Sequence, residues 1–180
     1  MAAIPAQFWR SVLNSPGVGA GTALANSTTL TDISPAPQLV LPANYLYLNQ
    51  RLRITAYGIY STTGTPTLLL GAYYGGVAGT LLAATAANAT ASGAASYPWQ
   101  LVLDIYVRTV GSSGTMWCNG QAKAGSSLTA MTEYALPSSQ TQPITINTTT
   151  ANALTVGAQW GSASSSDTIT CEDAYFEALS

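Results

Sequence analysis

The stretch at 98–110, PWQLVLDIYVRTV, decides the fold, because apolar and polar side chains alternate along it. A β-strand points successive side chains to opposite faces of its sheet, so this alternation is typical of a half-buried strand. One face consists of Leu101, Leu103, Ile105 and Val107, and the other of Val102, Asp104, Tyr106 and Arg108. Asp104 and Arg108 are too far apart along the strand to pair, so we expect their partners on adjacent strands.

Two further segments show the same pattern. The expected inner faces are Leu52, Ile54 and Ala56 in RLRITAYGIYS (51–61), and Leu154, Val156, Ala158 and Trp160 in ANALTVGAQWG (151–161). The TTGTP segment at 62–66 is rich in turn residues and predicts a hairpin turn. We expect about eight strands, with turns roughly every ten residues and no helical pattern between them. This predicts an all-β fold over residues 37–180, an antiparallel β-sandwich and most simply a jelly roll.

Residues 1–36 differ from the rest of the chain and predict an N-terminal arm that contains a short amphipathic helix. Pro5 can open this helix, and Gly17 and Gly19 can end it. Its apolar side chains would be Phe8, Trp9, Val12 and Leu13. Because so short a helix is not stable alone, we expect it to dock on its own domain or on a neighbouring molecule.

Ionisable residues are scarce. The 180 residues include five basic and seven acidic residues and no histidine, so 7% are charged, against about 25% in an ordinary soluble domain. Five cations cannot form the basic surface that nucleic-acid binding needs, and the lack of histidine excludes Ser-His-Asp triads and imidazole catalysis. No segment resembles a signal peptide or a membrane-spanning helix, so no membrane partner is expected. A surface so poor in charge suits a protein packed into an assembly.

Two thiols and one acidic cluster are the remaining groups that could perform chemistry. We expect Cys118 and Cys171 to be free thiols, although pairing across adjacent strands stays open. The cluster is Asp167, Glu172, Asp173 and Glu177, which could form a glycosidase pair or bind calcium. Glu172 and Asp173 are adjacent on a predicted strand and point to opposite faces, so we interpret the cluster as solvated or ion-paired charges. No catalytic residue, cofactor or metal site is predicted.

Four tryptophans and ten tyrosines admit two interpretations. Aromatic rings stack on sugars, which favours a carbohydrate site, but tyrosine is also enriched at subunit interfaces. Trp160 continues the apolar face of its strand and Trp99 begins another strand, so both are expected in the core or at its edge. The tyrosines expected to point partly outward, toward a subunit interface, are Tyr45, Tyr47, Tyr57, Tyr60, Tyr73 and Tyr74.

Three stretches carry a resemblance to a known class of protein. They are LRITAYGIYSTTGTPTLLLGAYYGGVAGTLLAATAA (52–87), PWQLVLDIYVRTVGSSGT (98–115) and ANALTVGAQWGSASSSDTIT (151–170). In the residues of their predicted strands and turns they resemble virion proteins of tailed bacteriophages, particularly those of actinobacterial hosts. The resemblance covers about residues 38–178. The resemblance implies an N-terminal arm followed by a jelly-roll domain, as in head-decoration proteins, which often form trimers, and in fibre or tail-tip domains.

From these observations we expect a non-enzymatic capsid decoration protein. It would be assembled in the host cytoplasm and lie on the capsid surface of the virion as a homo-oligomer, with a trimer as the expected form. Its partner would be the major capsid protein or another virion protein. The residues expected to make these contacts are Phe8, Trp9, Val12, Leu13, Tyr57, Tyr73 and Tyr74.

Two alternatives remain open. A tail-fibre or receptor-binding domain would present the loops at 88–96 or 111–114 to a glycan of the host cell surface. A carbohydrate-binding module or polysaccharide-active enzyme would, in its enzymatic form, depend on carboxylates such as Glu172 or Glu177.

Overall fold

The structure is a computed structural model that describes residues 10–14 and 19–179. The described residues form fourteen β-strands and no helix, so none of them forms a helix that could cross a membrane. The strands are β1 (Arg10–Asn14), β2 (Leu24–Ala25), β3 (Thr31–Asp32), β4 (Leu39–Leu41), β5 (Arg51–Ser61), β6 (Thr67–Tyr74), β7 (Thr80–Ala84), β8 (Asn88–Ala89), β9 (Tyr97–Thr109), β10 (Gly114–Ser127), β11 (Ala130–Leu136), β12 (Ile144–Ile146), β13 (Asn152–Trp160) and β14 (Thr168–Leu179).

The strands form two antiparallel sheets in a sandwich-like arrangement. The larger sheet has the order β1-β14-β5-β9-β10-β11, with β2 also paired to β14 and β12 to β10. The smaller sheet has the order β3-β13-β6-β7, with β4 also paired to β13 and β8 to β6. The predicted all-β sandwich is therefore confirmed. The jelly roll is not confirmed, since β9, β10 and β11 follow one another as neighbours in a single sheet, which is a meander.

The two inner faces enclose one hydrophobic core, and the alternation in the sequence predicted its members. The inner residues of β5, β9 and β13 are at most 1% exposed. They are Leu52, Ile54, Ala56, Leu101, Leu103, Ile105, Val107, Leu154, Val156, Ala158 and Trp160. Trp99 is also in this core, and its indole nitrogen donates a hydrogen bond of 3.0 Å to the carbonyl of Thr170.

The prediction of a hairpin turn at 62–66 is wrong. β5 belongs to the larger sheet and β6 to the smaller one, so this segment carries the chain from one sheet to the other. Hydrogen bonds from neighbouring loops hold the crossing: the Thr62 hydroxyl donates to the carbonyl of Ala91 at 2.6 Å, and Asp167 accepts from the amide of Thr63 at 3.0 Å. Turn residues mark a change of direction, but they do not specify which strand the chain pairs with next.

The predicted N-terminal helix is not confirmed. Val12 and Leu13 lie in β1, which pairs with β14 in the larger sheet, while Phe8 and Trp9 lie outside the described residues. Further along, the Gly21 amide donates a hydrogen bond of 2.7 Å to the carbonyl of Cys171, and β2 pairs with the start of β14. The described part of the predicted arm therefore docks on its own domain: β1 and β2 pair with β14 and β3 pairs with β13, which satisfies backbone groups that a short helix would leave unpaired.

Candidate functional site

Charged residues are distributed very unequally between the two sheets. All five basic residues and five of the seven acidic residues lie in strands of the larger sheet. Asp32 is the only charged residue in the described strands of the smaller sheet, and Asp167 lies in a loop. The inner faces are apolar, so the charges of the larger sheet are concentrated on its outer face.

Two rows of side chains cross the outer face of the larger sheet, each joining direct cross-strand neighbours. The first row is Arg51, Tyr106 and Trp117, and the second row is Arg53, Asp104 and Asn119. The Arg51 guanidinium carbon lies 5.7 Å from the centre of the Tyr106 ring, within cation–π range. Each row takes its members from β5, β9 and β10, so sheet register alone brings these side chains together.

Arg53 and Asp104 form a two-pronged ion pair in the second row. The Arg53 Nε and Nη2 atoms donate to the two Asp104 carboxylate oxygens at 2.6 and 3.0 Å. This hydrogen bonding raises the pKa of Arg53 above its ordinary value, against a smaller opposing effect of burial. Arg108 contacts Trp117 on β10, with its guanidinium carbon 5.5 Å from the ring centre. The expectation that Asp104 and Arg108 find partners on adjacent strands is confirmed.

Between the two rows lies an open groove of about 390 Å³, which we call the cross-strand groove. Its lining residues are Arg51, Leu52, Arg53, Asp104, Ile105, Tyr106, Trp117, Asn119 and Leu179. Trp117 is 44% exposed, so one of the largest apolar side chains of the protein faces solvent here. The groove therefore combines aromatic rings with groups that donate and accept hydrogen bonds.

The outer face of the smaller sheet is different in character, and we call it the neutral face. Its side chains are Val40, Leu69, Tyr73, Leu81, Ala153, Thr155 and Gln159, and the one charged residue of its described strands, Asp32, is at the edge as the cross-strand neighbour of Gly157. Asp32 lies on the edge strand of this sheet, where its carboxylate accepts hydrogen bonds from the Ser34 amide at 2.8 Å and from the Gln38 side chain. A second groove, of about 350 Å³, opens beside Leu69 and Gln159 and has no charged lining residue.

The structure separates the predicted contact residues. Tyr57 is 41% exposed on the outer face of the larger sheet, and its hydroxyl donates to Asp173 at 2.9 Å, which raises the pKa of Tyr57. The expectation that Tyr60 and Tyr74 point outward is wrong, and Tyr73, although it is on the outer side of its sheet, is also buried: all three are at most 5% exposed.

Different contacts bury these three tyrosines. Tyr60 and Tyr74 face the core and donate to the carbonyls of Gly125 and Asn147. The side chain of Tyr73 lies on the neutral face but packs against the backbone of Gly71 and Gly157. Of the arm residues, Val12 is 53% exposed and Leu13 packs against the core.

Three of the four residues of the acidic cluster have structural contacts, and the fourth, Glu172, is exposed. Asp173 accepts from Tyr57, Asp167 accepts from the Thr63 amide, and Glu177 is the cross-strand neighbour of Arg53. In the described ranges, no group of three or more His, Cys, Asp or Glu side chains could hold a metal ion. Cys118 and Cys171 are buried free thiols, as expected, and burial raises the pKa of each to about 12.

Sequence reasoning missed the cross-strand groove. The alternation predicts that Asp104, Tyr106 and Arg108 share one strand face, but their neighbours on β5 and β10 depend on strand order and register. The alternation within one strand carries no information about strand order or register.

No known protein family, curated protein or solved structure matches the chain.

Proposed function

We propose that this chain is a non-enzymatic structural protein of a bacteriophage virion. In this proposal it decorates the head as a homo-oligomer, bound to the major capsid protein or to another virion protein. The resemblance of three stretches to phage virion proteins supports the assignment. The low charge and the engagement of Asp104, Asp167 and Asp173 in structural contacts favour a binding role over a catalytic one.

The observation that carries the proposal is the neutral face. Burying a charged side chain in an interface is costly unless it is paired, and the centres of protein interfaces are depleted in charge. Outward-facing side chains such as Val40 and Leu69 can be buried against a partner without that cost. We therefore assign attachment to the neutral face and solvent exposure to the charged face of the larger sheet.

Charge insertion on the two faces tests this assignment. Val40 on the neutral face is 54% exposed, and Ile59 on the outer face of the larger sheet is 38% exposed. We expect Val40→Glu to reduce co-sedimentation with heads assembled without the protein by about tenfold or more, as for loss of an interface contact worth ~1.4 kcal/mol. The matched variant Ile59→Glu should attach like the unmodified chain. Equal attachment of both variants, or loss only with Ile59→Glu, would contradict the assignment.

Oligomerisation is the second part of the proposal. A stable interface buries about 800 Å² on each partner, and exposed apolar side chains outside the neutral face offer additional contact area. Tyr47 and Leu48, in the connection between β4 and β5, are 53% and 56% exposed. Sedimentation velocity of the purified chain should give the mass of a trimer, and a monomer at micromolar concentration would contradict this part.

Residues 1–9 provide a separate test of the arm. Phe8 and Trp9 lie outside the described residues, so their role in attachment stays a prediction. Removing residues 1–9 leaves β1 in the chain. If the arm contributes to attachment, the truncated protein should fold and oligomerise normally but bind heads more weakly. Unchanged binding would limit the contact to the neutral face.

A receptor-binding protein of the tail is the second candidate function. The cross-strand groove favours it, since aromatic rings beside polar groups are suited to bind a glycan. Antibody labelling of intact particles distinguishes the two locations: label on the head supports decoration, and label on the tail supports receptor binding.

A further inference from the structure

We propose that the cross-strand groove binds an acidic saccharide, a short chain of sugar rings that carry carboxylates. This binding site goes beyond a structural role on the head. The groove and the neutral face lie on opposite outer faces of the sandwich, so each can be tested without the other.

The aromatic row supplies an apolar surface for a sugar ring. Tyr106 and Trp117 are direct cross-strand neighbours, and side chains in such pairs are about 5 Å apart at Cβ. Trp117 is 44% exposed, so it offers apolar surface to a sugar ring beside Tyr106. The Tyr106 hydroxyl donates to the Asn49 side chain at 2.6 Å and can still accept a hydrogen bond, and tryptophan has an N–H donor, so the two residues suit a ligand that is apolar on its face and polar at its rim.

The second row supplies hydrogen bonds for hydroxyl groups. Two guanidinium nitrogens hold Asp104 in place, but a carboxylate has about four lone-pair sites and can accept further bonds from sugar hydroxyls. The Asn119 side chain has no hydrogen bond to any described residue, so its amide can both donate and accept. The rows are two residues apart along the strands, which is about 7 Å and matches the width of a sugar ring.

Charge selects an acidic ligand over a neutral one. Arg51 and Arg108 contact aromatic rings, and neither forms an ion pair with a carboxylate in the described part of the chain. Each guanidinium has five N–H donors and can bind a carboxylate through two parallel hydrogen bonds. Arg51 lines the groove and Arg108 lies against its Trp117 side chain, so a sugar carboxylate can supply a counter-charge to either guanidinium. The groove spans β5, β9 and β10, about 10 Å across at the usual strand spacing, which corresponds to two or three sugar units.

Titration of the full chain with saccharides tests the proposal. The probes are a trimer of galacturonic acid and, as the neutral counterpart, maltotriose, with binding measured by calorimetry and tryptophan fluorescence. We expect binding of the acidic trimer and at least about tenfold weaker binding of maltotriose. Trp117→Ala, Arg51→Gln and Asn119→Ala should each weaken binding of the acidic trimer, by about tenfold for the first two.

Lys123→Gln is the matched control for Arg51→Gln. Lys123 lies on the same outer face, forms an ion pair with Glu133 at 3.3 Å and is outside the groove. This variant should bind the acidic trimer within about twofold of the unmodified chain. Thermal melts show whether each variant is folded, and the exposed Asn119 provides a readout if Trp117→Ala does not fold.

Three results would overturn the proposal. They are no binding of the acidic trimer at millimolar concentration, equal binding of maltotriose, or an equal loss with Lys123→Gln and Arg51→Gln, which would indicate general charge attraction. Val40→Glu should bind the acidic trimer normally. Failure of saccharide binding is therefore distinguishable from failure of head attachment.

Discussion

The ring of Tyr73 lies directly against the backbone of Gly157 on the neighbouring strand. A Cβ atom at Gly157 would be 2.8 Å from the Tyr73 ring and 3.0 Å from Val77, closer than side chains pack. A Cβ at Gly71 would be 3.0 Å from the Tyr73 hydroxyl. Two glycines thus form a flat surface on which this tyrosine is buried outside the main core.

The first prediction follows from that contact. Gly157→Ala should lower the free energy of unfolding by about 1–3 kcal/mol, since the added methyl group displaces the ring and Val77. Urea unfolding measures the change. In a Tyr73→Ala background the same substitution should cost less, because the ring it displaces is absent. An equal cost in both backgrounds would show that the clash does not involve Tyr73.

The second prediction concerns the indole of Trp99. Trp99→Phe removes the hydrogen bond that the indole donates to the part-buried Thr170 carbonyl. We expect a loss of about 1–3 kcal/mol in unfolding free energy. Trp117→Phe is the control, because Trp117 is exposed and the substitution should change stability by about 0.5 kcal/mol or less. Similar losses from the two substitutions would be inconsistent with a specific role of the Trp99 hydrogen bond.

The third prediction is a loss of stability in alkali. Burial raises the pKa of Cys118 and Cys171 to about 12 in the folded protein, whereas a thiol in the unfolded chain ionises near pH 8.5. Between these values the unfolded chain loses protons that the folded protein keeps, so stability falls as pH rises. Each thiol contributes up to about 1.4 kcal/mol per pH unit.

The double variant Cys118→Ala/Cys171→Ala provides the comparison. Burial also raises the pKa of Tyr60, Tyr73 and Tyr74, and those residues stay in both proteins. Denaturant midpoints measured from pH 8 to pH 12 should therefore fall more gently for the double variant. Parallel curves would mean that the thiols ionise equally in both states.

The fourth prediction is that the Arg53–Asp104 ion pair adds little stability. The two side chains are 36% and 55% exposed, so solvent screens their attraction. A double-mutant cycle with Arg53→Met and Asp104→Asn should give a coupling energy below about 1 kcal/mol, and added salt should reduce it. A coupling of several kcal/mol would indicate a pair shielded from water.

The sequence predicted the inner faces of the long strands because the cause is local. Every second side chain of these strands is buried, as Leu103 and Val156 are, and the same alternation of apolar and polar residues is present in the sequence. The same reasoning predicted the core position of Trp160. It also gave the correct outer assignment of Asp104 and Arg108, whose contacts then follow from the adjacent strands.

Features that depend on non-local pairing could not be read in this way. Tyr73 and Tyr74 are consecutive, so one faces the core and the other faces outward, and only the register with Gly157 explains why the outer one is also buried. The short strand that contains Val12 forms because β14 offers it backbone partners, not because of its own composition. For the same reason, the row that joins Arg51 to Trp117 has no signature in any one segment.

The position of β14 has a consequence for synthesis of the protein. This strand lies between β5 and the paired residues near the start of the chain, with Arg10 opposite Leu179. On the ribosome, β1 and β5 emerge long before β14, the strand that lies between them in the folded sheet. Until residue 179 leaves the exit tunnel, β5 has an unprotected edge that can pair with another nascent chain. Successful folding therefore requires that this edge stay unoccupied throughout translation.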